Sequence, residues 1–211
     1  MLKATSLSHH FDYPLFENLD FSMQSKESVA VLGVSGSGKS TLLHILSSFL
    51  KPDNGTVELF DQSIYDIKES DLIKLRRHKL GLIFQQHYLF RGFTAQENLE
   101  VAAKLSNQNI SSTMLEALKI DKVMHQPIAE LSGGQQQRIS IARVLLKQPQ
   151  LIFADEPTGN LDKNTAHDVI DMMHNYIYER EAGLFVVTHD ESIAEKCNHR
   201  FVLENQRLRK L

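Results

Sequence analysis

The chain has 211 residues, of which 42% are hydrophobic and 23% charged, and its formal net charge is −3. This length suits one large α/β domain, and the charge provides no overall basic field that would favour nucleic acid. The single cysteine, Cys197, excludes a disulfide within the chain. Because we find neither an apolar run of signal-peptide length at the start nor the ~20 apolar residues of a membrane span, we expect a cytosolic protein. Any role at a membrane then requires another chain.

The N-terminal segment, residues 1 to about 28, partly alternates between apolar and polar residues, which predicts short antiparallel strands. Two aromatic residues, Phe11 and Tyr13, lie between these strands. Either ring could stack on adenine, because stacking accepts any base with a π surface. The alternative is that both are core or turn residues, and this segment taken alone favours that alternative.

The stretch GVSGSGKST fits the phosphate-binding pattern G-x-x-x-x-G-K-[ST]. We expect its glycines to adopt positive φ and to allow close approach, so that backbone N–H groups point at phosphate oxygens. The Lys39 ammonium can reach the β- and γ-phosphates, and the Ser40 hydroxyl can bind Mg²⁺. A buried strand predicted over 28–32 and a helix predicted over 40–46 flank the loop, as such a site requires. The expected phosphate-binding residues are Gly33, Val34, Ser35, Gly36, Ser37, Gly38, Lys39, Ser40 and Thr41.

The segment after the loop predicts a strand over 56–60, a polar helix over 69–78 and an apolar strand over 81–84. Gln85 follows that last strand, where a glutamine can hold a metal-bound water or serve as a plain loop residue. Residues 93 to about 119 have a helical pattern, and Thr94 to Glu97 form a candidate capping box. No strand is predicted between Phe84 and Leu131, which indicates an inserted helical lobe.

The stretch LSGGQ, Leu131 to Gln135, precedes a helix predicted over 136–147. Glycines just before a helix expose N–H groups at the positive end of its dipole, which suits a phosphate. The alternative is that Ser132 caps the helix and the glycines form a turn. The motif alone does not decide between the two.

Two buried strands are predicted to end in chemically active residues. The strand over 151–154 leads into Asp155 and Glu156, and the strand over 184–188 leads into His189. Adjacent carboxylates repel each other unless a cation is present, so this pair implies Mg²⁺. Ligands of open α/β sheets lie beyond the carboxyl ends of strands, where these residues meet. The last residues, about 200 to 211, predict a terminal hairpin.

With these motifs together, the chain from about Leu2 to Leu211 resembles the ATP-binding subunit of an ABC transporter. GVSGSGKST resembles the Walker A motif, LSGGQ the family signature, LIFADE the Walker B motif with its catalytic glutamate, and GNLD the D-loop. The resemblance implies a single domain over 1–211 of the α/β P-loop NTPase class. It further implies a mixed sheet core, an N-terminal antiparallel β subdomain and an α-helical subdomain inserted over about 88–145.

The same resemblance implies roles for individual residues, with ATP and Mg²⁺ as cofactors. The expected catalytic residues are Glu156, His189, Lys39 and Gln85, and the expected Mg²⁺ ligands are Ser40, Gln85 and Asp155. Phe11 stands where the family has its adenine-stacking aromatic, with Tyr13 as a competitor. Two copies are expected to form a head-to-tail homodimer around two ATP molecules. The residues expected to bind nucleotide from the signature and the D-loop are Ser132, Gly133, Gly134, Gln135 and Asp162.

The segment from Gln85 to Asn98 is most similar to the lipoprotein-releasing type, whereas the segment from Ala154 to Asp162 is shared with macrolide-export and cell-division relatives. Transport and division-type signalling therefore both remain open. Action on DNA or ribosomes fits poorly, because neither a long coiled-coil insertion nor a second domain is present. The resemblance implies integral membrane permease subunits as partners, no nucleic acid, and a place at the cytoplasmic face of the inner membrane. We expect Leu89, Phe90 and Phe93 either to anchor the permease or to pack inside the helical lobe.

Overall fold

The computed structural model describes residues 1–211 and contains two sheets. The first is antiparallel, with β1 (Leu2–His10), β2 (Pro14–Met23), β4 (Asn54–Leu59) and β5 (Gln62–Ser63) in the order β2-β1-β4-β5. The second sheet contains β3 (Ser28–Leu32), β6 (Leu80–Ile83), β7 (Leu151–Asp155), β8 (Gly183–Val187), β9 (His199–Glu204) and β10 (Arg207–Lys210). Its order is β10-β9-β3-β8-β7-β6, and only the β9–β10 pair is antiparallel.

Seven α-helices surround these sheets: α1 (Lys39–Leu46), α2 (Glu69–His78), α3 (Ala95–Ser106), α4 (Ser112–Ala117), α5 (Gly133–Leu145), α6 (Lys163–Glu179) and α7 (Glu191–Ala194). Two 3-10 turns, Asp121–Val123 and Ile128–Glu130, precede α5. The chain places α3, α4 and α5 between β6 and β7, as the predicted helical lobe requires. None of the helices combines the length and the hydrophobicity that a membrane crossing demands.

The central strands of the second sheet are buried on both faces. In β8, Leu184 and Val186 pack with α5 and α6, whereas Phe185 and Val187 pack with α1 and the antiparallel sheet. Strands covered on both sides read as continuous apolar runs, which is why the sequence predicted them. The sheet edge at the carboxyl ends of these strands is therefore held rigidly from two sides.

Helix α5 begins three residues earlier than the predicted start at residue 136. Ser132 is its N-cap and forms a capping box with Gln135: Ser132 Oγ accepts from the Gln135 backbone N–H at 3.2 Å, and Gln135 Oε1 accepts from the Ser132 N–H at 2.8 Å. The prediction was late because it rested on apolar residues that begin only at Ile139. The capping box predicted at Thr94 to Glu97 is confirmed at the start of α3.

The predicted short N-terminal strands are in fact 9 and 10 residues long. The pairing of β1 with β2 shifts register at several points, and Ser6 and Asn18 have positive φ. Bulges of this kind interrupt the alternation of apolar and polar residues without ending the strand. The prediction therefore found fragments of strands that are continuous. The terminal hairpin is confirmed as β9 and β10.

Candidate active site

A cavity of about 690 Å³ lies at the edge where β3, β6, β7 and β8 end. It brings together most of the residues that the sequence predicted for the site. These are Phe11, Val34, Ser35, Gly36, Gly38, Lys39, Ser40, Thr41, Gln85, Asp155, Glu156 and His189. Tyr13 and Leu15 also line it, and Leu15 is a residue for which the sequence offered no signal.

The glycines of the loop between β3 and α1 serve two different purposes. Gly36 and Gly38 have φ of 81° and 97°, a region that favours glycine, as expected. Gly33 does not have positive φ, which corrects the expectation for that residue. A Cβ at Gly33 would lie 2.6 Å from Ser37 Oγ and 2.8 Å from the Leu203 carbonyl oxygen, so this position lacks room for a side chain. Gly33 and Ser37 belong to the loop without lining the cavity.

Lys39, the first residue of α1, is buried beneath the loop, with only 8% of its surface exposed. Its ammonium donates to the carbonyl oxygens of Gly33 at 2.7 Å and Val34 at 2.9 Å. Burial lowers the pKa of Lys39, while the carboxylates of Glu156 and Asp155 act in the opposite direction. An ammonium has three donors, so one N–H remains for a ligand after these two bonds.

Asp155 ends β7 beside Ser40, and Gln85 lines the same cavity. Burial raises the pKa of Asp155, and the nearby Ser40 hydroxyl partly opposes this. A buried carboxylate that is costly to ionise gains most from a nearby cation. Mg²⁺ is usually held by one or two protein oxygens together with substrate phosphates. The oxygen donors of Ser40 and Asp155 fit that requirement.

Glu156 is oriented by three hydrogen bonds. Its Oε2 accepts from Thr188 Oγ1 at 2.9 Å, and its Oε1 accepts from the His189 backbone N–H at 2.9 Å. His189 Nδ1 lies 2.7 Å from the same Oε1. Glu156 has φ of 46°, a strained conformation for a non-glycine residue, and it turns the chain away from the sheet. Thr188 was missed as a site residue because it looked like the last residue of an apolar strand.

The signature residues do not line this cavity. Gly134 instead packs against the loop before α6, since a Cβ there would lie 3.2 Å from the Asn160 carbonyl oxygen. Asp162 is the N-cap of α6, where its Oδ1 accepts from the Thr165 N–H at 3.1 Å. Within one chain, Ser132 and Asp162 therefore act as helix caps, which is the alternative that the sequence left open for Ser132. A chain of this shape presents the signature on a surface separate from its phosphate loop.

An exposed aromatic surface follows Gln85. Phe90 and Phe93 are 50% and 41% exposed, with ring centroids 5.4 Å apart, so the alternative that they pack inside the lobe is wrong. Leu89 does pack partly against the lobe core. The buried Asn98 fixes the loop, because its Nδ2 donates to the carbonyl oxygens of Phe90 and Thr94 and its Oδ1 accepts from the Phe90 N–H. This surface therefore has a defined shape.

Residues 16–159 match the family model described as ABC transporter. The chain belongs to this family. It is similar to the lipoprotein-releasing system ATP-binding protein LolD 1 of Caulobacter vibrioides, at 38% identity over 92% of this chain and 86% of the relative. It is also similar to LolD of Hydrogenovibrio crunogenus, at 38% identity over 90% of this chain and 85% of that relative.

Two solved structures of the ATP-binding cassette MJ0796 have a similar fold, each with a TM-score of 0.88 and 31% identity. The first is a dimer in a post-hydrolysis state bound to ADP and Pi, and the similarity covers 100% of this chain and 98% of that chain. The prediction of the ABC ATPase fold is thus confirmed. This ABC protein binds ATP and is an ATPase.

Proposed function

We propose that this ABC ATPase powers a lipoprotein-releasing system from the cytoplasmic face of an inner membrane, through a separate integral membrane permease. The observation that carries this proposal is the 38% identity over 92% of the chain to a protein named for that system. In this proposal the permease contacts the lipoprotein, and this chain, none of whose helices is long and apolar enough to cross a membrane, supplies the ATPase.

In the proposed mechanism, the phosphate loop holds the triphosphate of ATP. Gly36 and Gly38 turn backbone N–H groups toward the phosphates at the start of α1, where the helix dipole favours anions. The one free N–H of Lys39 donates to an oxygen of the β- or γ-phosphate, while its other donors keep the ammonium in place. Transfer of the γ-phosphate depends mainly on such positioning and on neutralised charge.

Ser40 and Asp155 would hold Mg²⁺ in this site, with Gln85 reaching it directly or through water. When bound, the ion neutralises charge on the β- and γ-phosphates. The chain's own contribution is to present hydroxyl and carboxylate oxygens on rigid elements, the first turn of α1 and the end of β7.

Glu156 acts as the base that polarises the attacking water. Thr188 and His189 hold its carboxylate in one orientation, so its free lone pairs point in a fixed direction. The side chain of His189 is largely exposed in the cavity, and we assign it a contact with the γ-phosphate. Because His189 Nδ1 also lies 2.7 Å from Glu156 Oε1, His189 would link the γ-phosphate to the base.

The site is completed by a second copy of the chain. Because the signature does not line the cavity of its own chain, Ser132, Gly133 and Gly134 would close on ATP from the partner of a head-to-tail homodimer. The start of α5 suits this role, since its dipole and its N–H groups favour a phosphate. Gln135 lies beside this surface as the partner of Ser132 in the capping box of α5, and Asp162 as the N-cap of α6.

The permease would dock on the aromatic surface of Phe90 and Phe93. Substitution of either phenylalanine by aspartate should release the permease while ATP binding is retained, because exposed rings contribute to docking and not to the core. Leu105→Asp is a matched control, since Leu105 is an exposed apolar residue of α3 away from this loop. Co-purification with the permease, together with thermal melting, measures the effect. Full retention of permease in both variants would place the docking surface elsewhere.

Lipoprotein release is tested by reconstituting this chain with a candidate permease from the same organism in liposomes that carry an acylated lipoprotein. We expect MgATP to move lipoprotein into the soluble fraction, and Glu156→Gln to stop that release. Rapid ATP hydrolysis without release, or hydrolysis stimulated by a macrolide and not by lipoprotein, would reject the proposal. A complex that restores cell division without releasing lipoprotein would favour the signalling alternative.

A further inference from the structure

The turn between β1 and β2 carries two exposed aromatic residues that differ in how they are held. Phe11 and Tyr13 are 56% and 59% exposed, and both line the cavity of the phosphate loop. The ring of Phe11 meets the ring of His9 edge to face, with centroids 5.0 Å apart and an interplanar angle of 85°. Tyr13 takes part in no ring pair of this kind. Only Phe11 therefore has a support that fixes its plane.

That support is itself buried. His9 is 6% exposed and lies between Phe11 and the fully buried Phe16, whose ring centroid is 6.4 Å away. Its Nδ1 lies 2.9 Å from Asp53 Oδ2. The same oxygen accepts from the His10 backbone N–H at 2.9 Å and lies 3.0 Å from His10 Nδ1. This carboxylate oxygen lies close to both imidazoles, but its hydrogen bond is to the His10 backbone, and neither ring nitrogen of His9 has a hydrogen-bond partner. Asp53 therefore places His9 through the backbone of β1 and by charge proximity.

Asp53 ties this aromatic turn to the nucleotide site. It belongs to the turn that leads from α1, the helix of the phosphate loop, into β4, and its backbone N–H donates to the Ser8 carbonyl oxygen at 3.1 Å. On the other side, a Cβ at Gly38 would lie 3.4 Å from Leu15 Cβ, so β2 touches the loop itself. The tip of the hairpin is held at a set position relative to the phosphate loop by both contacts.

We propose that His9, which lies beside Asp53, is a positioning residue that fixes the Phe11 ring as the face on which the adenine of ATP stacks. The inference rests on the nucleotide site proposed above. A ring that is already oriented loses little freedom when a base stacks on it, so its support contributes to affinity for the base. The phosphates are bound elsewhere and do not depend on this support.

The affinities for MgATP and magnesium tripolyphosphate are compared, because only MgATP has a base. The difference between them measures the contribution of the base. Base stacking of about 1–3 kcal/mol corresponds to a rise of roughly 5- to 150-fold in the Kd of MgATP for Phe11→Ala. Loss of the edge-to-face support corresponds to a rise of about 2- to 12-fold for His9→Leu and for Asp53→Ala. We expect the Kd of tripolyphosphate to stay unchanged in all three variants. In turnover, KM for ATP should rise for Asp53→Ala with little change in kcat.

Control variants keep the outcomes distinct. Lys51→Ala alters the same turn without touching either histidine, and Asp53→Asn should restore most of the affinity because it keeps the oxygen that accepts from the His10 backbone N–H. If thermal melting shows that His9→Leu does not fold, the test uses Asp53→Ala instead, because Asp53 is half-exposed. Equal losses for ATP and tripolyphosphate, or no loss for either, would overturn the positioning role. A loss of ATP affinity with Tyr13→Ala and none with Phe11→Ala would instead overturn the assignment of the stacking residue.

Discussion

Replacement of Glu156 by glutamine removes the proposed base with the smallest change in shape. The carboxylate accepts from Thr188 Oγ1 and from both donors of His189. A glutamine oxygen can still accept from His189, and its amide can donate to the Thr188 hydroxyl, which can turn to accept. The amide cannot take a proton from water, so the chemical step loses its base while the hydrogen-bond network survives.

The expected loss of hydrolysis rate is much larger than the expected loss of stability. General-base catalysis contributes about 10²- to 10⁴-fold, so hydrolysis should fall by that factor. Weakening one hydrogen bond to a charged group costs about 1.5–3 kcal/mol at most. Each kcal/mol lowers the Tm of a chain of this size by roughly 2–4 °C. A large loss of rate with a Tm lowered by no more than ~12 °C is therefore the expected signature.

The assay is phosphate release at saturating MgATP, with binding of ATP and size-exclusion chromatography on the same sample. We expect ATP binding to persist and a dimer to accumulate, because the trapped nucleotide is not hydrolysed. Glu116→Gln, an exposed residue of α4, is the matched control. Hydrolysis by Glu156→Gln within tenfold of the unmodified chain would refute the argument and point to another base.

Lys39→Ala should abolish hydrolysis and weaken ATP binding, and near-normal phosphate release would contradict the assignment of the loop. EDTA should stop turnover and added Mg²⁺ should restore it, whereas unchanged turnover in EDTA would exclude Ser40 and Asp155 as ligands for an essential ion. Thr94→Ala removes the N-cap of α3 and should cost about 1 kcal/mol in urea unfolding, and no change in the midpoint would show that the cap is dispensable. Burial raises the pKa of Cys197 to about 11, so iodoacetamide should label the native chain at pH 8 roughly a hundredfold more slowly than the chain in urea; equal rates would show an accessible thiol.

The sequence predicted the parts of the fold in which local pattern and burial agree. The parallel strands are continuous apolar runs because both faces are covered, so β3, β7 and β8 were found within a residue or two. The four-residue α7 is too short for a helical period to show. β1 was fragmented because a bulge changes which face a residue occupies.

In the candidate site, too, local sequence patterns predicted some features and tertiary packing determines the others. Glycine spacing, paired acids and strand ends are local signals, so most residues that line the cavity could be named from the sequence. Contacts between distant residues could not: Thr188 orients Glu156 across 32 positions, and Asp53 lies against His9 from a different element. Which hydroxyl or carboxylate meets which partner depends on the packing of the elements, and no local pattern encodes that.

The separation of the signature from the phosphate loop has a consequence for mixtures of defective chains. In the proposed head-to-tail dimer, each site takes its loop from one chain and its signature from the other. A chain with Lys39→Ala and a chain with a damaged Ser132 are each inactive alone, yet a dimer of the two contains one intact site and one that is doubly damaged. Equal amounts, paired at random and with independent sites, would recover roughly a quarter of full activity. The two lesions would therefore complement each other, although they lie in the same polypeptide.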